Sequence, residues 1–356
     1  LIRAYLIQWV PVERLERGVY MVGLLDSRNA KLLGLAAGVI VLMGGMLASV
    51  LFGLKQFSLD MLWQAYAHFN GSNEHIIITN TRVPRALIGA AVGASLAIAG
   101  AIMQVLTKNP LASPSVFGIN AGAVLFLVIS FTIFGTQLVM SQMVWVAFAG
   151  AGVTAVFVFS LGSLGRDGFT PIKLTLAGAA VAAFASSVTS GIMLVDNRSL
   201  DQALFWLIGS ISGRELSHLA AVIPYIAIGW VMAMLMANSF NLMALGDEVA
   251  KGLGQRTALV KVMSSVIVVL LAGGSVAVAG PIAFIGVIIP HLCRYLVGND
   301  HKWLLPYCAV TGALLLVGAD LASRFILMPK EVPVGVATAL LGVPFLISVA
   351  RRRAYA

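Results

Sequence analysis

Charge is scarce in this chain: 14 carboxylates and 23 lysines and arginines make up only 10% of its 356 residues. Soluble domains carry roughly 25%, so an ordinary water-facing surface cannot be drawn from this composition. Cysteine is scarcer still. Cys293 and Cys308 lie far apart with no paired spacing, which supports neither a metal site nor a disulfide framework. No Gly-x-x-x-x-Gly-Lys-Ser/Thr loop is available to cradle nucleotide phosphates, so if the chain pumps, a partner must hydrolyse the nucleotide. His-Glu-x-x-His and Gly-x-Ser-x-Gly are missing too, which argues against an intramembrane protease. The histidines His68, His75, His218, His291 and His301 fall at expected loop or helix-end positions and form no ligand cluster. No catalytic residue, cofactor or metal ligand is expected.

What the chain does have is apolar length. Hydrophobic residues make up 60% of it, and the mean hydropathy is +0.97. A bilayer core of about 30 Å needs about 20 apolar residues per helix, and only closed backbone hydrogen bonding survives there. The sequence therefore reads as an all-α polytopic membrane protein with about ten transmembrane helices, at 32–54, 84–106, 114–135, 142–163, 172–195, 219–239, 257–277, 281–297, 304–327 and 334–350. The eighth and tenth are short. Pro281, Pro290, Pro333 and Pro344 sit near or inside them, where transporters often break helices. Residues 1–31 form an amphipathic cytoplasmic segment with no evident signal peptide, 32–350 the membrane domain, and 351–356 a basic cytoplasmic tail. A segment echo, Gly93–Ile102 against Gly273–Ile282, suggests an inverted repeat, since five spans separate the copies.

Loop charge orients the spans, because lysine and arginine stay on the cytoplasmic side. With both termini inside, 16 of the 23 cations fall on the inner side, leaving Lys55, Arg82, Arg85, Arg198, Arg214, Arg324 and Lys330 outside. The positive balance is thus topology and contact with lipid headgroups, and no nucleic-acid partner is implied.

Few residues stand out for work. Asp320, the one acidic residue placed within a span, has Arg324 four positions on, the spacing of an intrahelical ion pair. An ion-coupled secondary transporter acting without an ATPase, with Asp320 as its relay, is the alternative reading. Between the sixth and seventh spans, 245–254 reads as a short surface helix closed by glycine. Asp247 and Glu248 lie at its start, Lys251 near its end, and Leu245, Val249 and Leu253 on one apolar stripe. That stripe docks on the chain's own membrane domain or inserts into a cytoplasmic partner. Arg82, Arg85 and Arg324, with Lys330, are cations on the side that usually sheds them. They snorkel to headgroups or pair with carboxylates of an extracytoplasmic protein.

Taken in order, Thr81-Arg-Val-Pro-Arg-Ala-Leu87, Gly93 to Gln104, Asn109-Pro-Leu-Ala-Ser-Pro114, Leu245-Gly-Asp-Glu-Val-Ala-Lys-Gly-Leu-Gly254, Ile289-Pro-His-Leu-Cys-Arg294, Ala319-Asp-Leu-Ala-Ser-Arg324 and Glu331-Val-Pro-Val-Gly335 resemble the successive motifs of the FecCD family. These are the permease subunits of binding-protein-dependent ABC importers for iron-siderophores, haem and vitamin B12. The resemblance runs over about residues 32 to 350 and implies a fold of the vitamin B12 transporter type. It implies a bacterial cytoplasmic-membrane location and a second permease subunit, identical or homologous. It also implies a cytoplasmic ABC ATPase dimer, a substrate-binding protein outside, and alternating access. By position it implies ATPase coupling through Gly246, Asp247, Glu248, Ala250, Lys251, Leu253 and Gly254, and binding-protein docking through Arg82, Arg85 and Arg324. It places Gly178, Ala182, Ser186 and Ser190, spaced by four along the fifth span, on the pathway, a spacing that close helix packing explains equally well.

Overall fold

The computed structural model describes residues 23–135, 138–164, 169–195 and 206–354, and among these residues the regular secondary structure is helical, with one isolated bridge, Leu327 to Lys330. Seven helices are long and apolar enough to cross a membrane: α1 (Arg28–Leu51), α3 (Asn73–Thr107), α5 (Met140–Ser163), α6 (Pro171–Val195), α7 (Leu216–Leu235), α10 (Thr257–Ala279) and α12 (His301–Ile326). Three shorter apolar helices, α4 (Ile119–Phe134), α11 (Ile285–Val297) and α13 (Val334–Ala354), complete the ten that the apolar runs call for. Three small helices are added: α2 (Leu59–Ala67), α8 (Ala237–Ala244) and α9 (Asp247–Gly252).

Local chemistry explains where the elements start and stop. Ser27 caps α1 by accepting from the Ala30 amide at 3.1 Å, and Ser58 caps α2 through the Met61 amide at 3.1 Å. Asp300 caps α12 through the Lys302 amide at 3.0 Å. Two expected spans begin late. The run from 114 opens as a tight 3₁₀ turn, Pro114–Phe117, and turns at Gly118 (φ 67°) before α4 begins. The run from 281 stays non-helical to Phe284, because Gly280 takes φ 72° and Pro281 has no amide to donate. The run 219–239 divides at Met236 into α7 and α8.

Helix α3 is the axis of the fold. It packs most extensively on α12, and its apolar window is 89% buried, against 11% for α1 and 17% for α6. Glycines permit this: a Cβ at Gly93 would sit 2.3 Å from the Gly312 carbonyl oxygen of α12, and one at Gly100 would sit 2.1 Å from that of Gly286 in α11. Close backbone approach through small residues is how helices associate where lipid offers no hydrophobic drive. In the echoed segments Ser95 and Ser275 each donate to the carbonyl four residues back, at 2.7 and 2.6 Å, but α3 runs on through Gly100 while α10 stops at Gly280.

Residues 1–22, most of the expected amphipathic segment, lie outside the described residues. The 24–25 backbone pairs with the last turn of α11 (Leu24 to Tyr295, 3.1 Å; Leu25 to Leu296, 2.9 Å). Of the basic tail, residues through Ala354 continue α13 rather than forming a separate segment. Cys293 and Cys308 are free and buried, and α11 and α12 bring them close, Cys293 Sγ lying 3.1 Å from Thr311 Oγ1. His291 sits mid-helix against Phe345, not at a helix end, and no group of metal-ligating side chains forms among the described residues.

Candidate functional site

Two clusters stand at opposite ends of α3. A π-turn at Ile78–Arg82 widens the helix at its start, and Arg82 and Arg85, three residues apart, lie on one face. Arg85 reaches Asp320 on α12, Nε to both carboxylate oxygens at 2.9 Å, and Glu331 in the α12–α13 connection at 2.5 Å. Arg324 donates to Asp320 (2.6 Å), to the Ser49 carbonyl (2.6 Å) and to Ser49 Oγ (2.8 Å). Arg82 donates to the Phe52 carbonyl at 2.6 Å and lies over the Phe57 ring at 6.0 Å. Ser212, from the segment before α7, donates to Glu331 at 3.3 Å. The intrahelical pair between Asp320 and Arg324 is therefore present, within a larger cluster that ties α1, α3, α12 and two connections together.

Arg82, Arg85 and Arg324 do not snorkel: they are 7%, 5% and 0% exposed in this chain. A guanidinium removed from water must be compensated by partners, and these have found theirs inside the chain. Asp320 is likewise held inside the chain, between Arg85 and Arg324. Glu331 was embedded in a recognisable motif but not singled out. Burial pushes its carboxyl up, but the hydrogen bond and charge of Arg85, then Arg324, outweigh this and hold it below the usual carboxylate range. Arg214, also buried, stacks over Trp206 at 4.6 Å, and desolvation lowers its guanidinium to about 10.

From Arg85 to Lys108, which ends α3 in the left-handed conformation (φ 51°), is about 35 Å at 1.5 Å per residue, enough to cross a bilayer core of about 30 Å. At that far end Asp247, the first residue of α9, takes Lys108 (3.1 Å) on one carboxylate oxygen and Lys261 of α10 (2.5 Å) on the other. Burial raises the Asp247 carboxyl, and the hydrogen bonds from Lys261 and Lys108 more than reverse that, leaving it below its ordinary value. Gly246 (φ 110°) and Gly254 (φ 83°) bracket the helix in conformations that favour glycine. Ala250 is its buried contact, and Glu248 and Lys251 are exposed. Leu245, Val249 and Leu253 are 46%, 50% and 61% exposed, so the apolar stripe is not used by the chain's own membrane domain.

The small-residue face of α6 divides. Gly178 is buried against Val116, where a Cβ would lie 1.7 Å from the carbonyl oxygen, whereas Ala182 is half-buried and Ser186 and Ser190 are exposed. Gly178 is a packing residue, and the two serines face outward from this chain.

The model of the FecCD transport family matches residues 40–352. The chain belongs to that family. FecCD relatives include the probable siderophore transport system permease protein YfiZ of Bacillus subtilis, 51% identical over 92% of this chain and 98% of its own length. The Fe(3+)-citrate import system permease protein YfmD of the same organism is 45% identical over 80% and 84%. Among solved structures, an inward-facing conformation assigned to a metal-chelate type ABC transporter superposes with a TM-score of 0.78 at 25% identity, covering 89% of this FecCD chain and 98% of that one. The helical fold is therefore that of an ABC importer permease, and the protein is a multi-pass transport subunit.

Proposed function

We propose that this chain is the permease subunit of a bacterial ABC importer that carries a ferric siderophore or a related metal chelate across the cytoplasmic membrane. The observation that carries the reading is the exposed Leu245, Val249 and Leu253 stripe on a helix whose Asp247 is clamped to two core helices. An apolar knob that is rigidly seated and left uncovered fits a partner's cleft, and the partner required is an ATPase, two copies serving two permease subunits. The α9 end then faces the cytoplasm, as do both termini, and the Arg85 cluster faces outward. Ser186 and Ser190 line the pathway where α6 meets a second permease, identical or homologous; the low burial of α6 supports that placement. Outside, three guanidiniums against Asp320 and Glu331 leave the cluster one positive charge in excess, which favours an acidic partner surface on a substrate-binding protein. Docking there proceeds by exchange, a partner carboxylate taking the place of Glu331 on Arg85. Double substitution Arg82→Glu with Arg85→Glu should weaken binding-protein docking, read by surface plasmon resonance against the permease in nanodiscs.

The deciding experiment is purification in mild detergent from the native host. A stoichiometric ATPase should accompany the chain, and Leu253→Asp should reduce that association by about thirtyfold, since a buried leucine contributes about 2 kcal/mol. A lone chain that still drives uptake into sealed vesicles would sink the proposal.

A further inference from the structure

The starts of α1 and α12 lie side by side, and between them is a cleft of about 500 Å³ lined by Asp26, Arg28, Lys31, Lys302, Trp303 and Pro306. The Tyr307 hydroxyl, donating to the Lys31 carbonyl at 2.7 Å, holds the two helices together behind it. Three cations face one carboxylate, and among the described residues no carboxylate pairs with Arg28, Lys31 or Lys302. Both helices point their amino-terminal ends into this region, adding positive potential to the cations. The far ends of α1 and α12 hold Ser49 and Arg324 in the Arg85 cluster, so the cleft lies on the opposite, α9 side of the membrane domain.

We infer that this cleft binds the phosphate of an anionic phospholipid headgroup. Concentrated cations, a half-buried tryptophan and a position between two transmembrane helix ends are the features of such sites. Leu32 and Leu33, which follow Lys31 in the chain, are 48% and 73% exposed at the start of the least buried of the long helices, so acyl chains have apolar surface to run along. A soluble anion would have no use for that surface.

The test is native mass spectrometry of the full-length chain in detergent, titrated with dioleoyl-phosphatidylglycerol or dioleoyl-phosphatidylcholine. Phosphatidylglycerol should be retained selectively. Lys31→Gln with Lys302→Gln should lower that retention by about thirtyfold, from about 1 kcal/mol per lysine. The conservative pair Lys31→Arg with Lys302→Arg should keep it, and Lys330→Gln, at the opposite end, should leave it unchanged. Equal retention of the two lipids, unaltered retention in the glutamine pair, or displacement of the lipid by millimolar inorganic phosphate would each overturn the assignment. The last would make the cleft a site for soluble anions.

Discussion

Arg85 is the residue on which its cluster turns, since among the described residues it alone touches both Asp320 and Glu331. Arg85→Ala would leave Asp320 with one partner and Glu331 with Ser212 alone. Breaking a buried pair from one side costs about 3–5 kcal/mol, so a clear fall in melting temperature is expected in detergent, larger than for Lys55→Ala at the exposed Lys55–Glu74 pair. Protonation probes the same bonds. The Glu331 and Asp247 carboxyls are both held below their ordinary values, so their contribution is fully present above the unfolded-state pKa and is lost as pH falls through the lower folded one. Stability and ATPase association should therefore be flat from neutrality to about pH 5 and decline only below about pH 4; a decline centred near pH 6.5 would point to histidine instead.

At the scale of elements, periodicity and hydropathy report what a helix does on its own, and the ten apolar helices, seven of them long enough to cross a membrane, were legible for that reason. Helix α2 was not: nine residues bearing Asp60, Trp63 and Gln64 are too short and too mixed for a span, and the helix is fixed by packing Ala65 beneath it. The late starts of α4 and α11 were hidden because Gly118 and Gly280 read as ordinary membrane glycines until their φ angles are known. The outer arginines read as exposed because the carboxylates that bury Arg85 lie 235 and 246 residues away, beyond any local pattern. The α9 knob was legible, since its charges and stripe are local, but Lys108 and Lys261 were not, being brought in by two other helices. Glycine contacts are likewise tertiary. Gly100→Ala should destabilise by about 1–3 kcal/mol through overpacking against Gly286. Gly44→Ala in α1, where nothing lies within 4 Å of the added methyl, should be neutral or stabilising by up to about 1 kcal/mol. Thermal unfolding of the two variants side by side separates packing from helix propensity.

For the molecule as a whole, sidedness is the property on which the other assignments depend. Lys330→Cys and Lys251→Cys place thiols at opposite ends, and the buried Cys293 and Cys308 give little background. A membrane-impermeant maleimide should label Lys330→Cys in intact cells and Lys251→Cys only after permeabilisation; the reverse pattern would invert the proposed orientation.

The Asp247 clamp also has a mechanical meaning. A carboxylate gripped on each oxygen by a different helix is triangulated like the joint of a truss, and it resists displacement along both arms. The two arms end on α3 and α10, whose apolar windows are 89% and 72% buried. A load on Leu253 would thus pass into two of the most buried members of the bundle instead of being absorbed by bending of a surface loop.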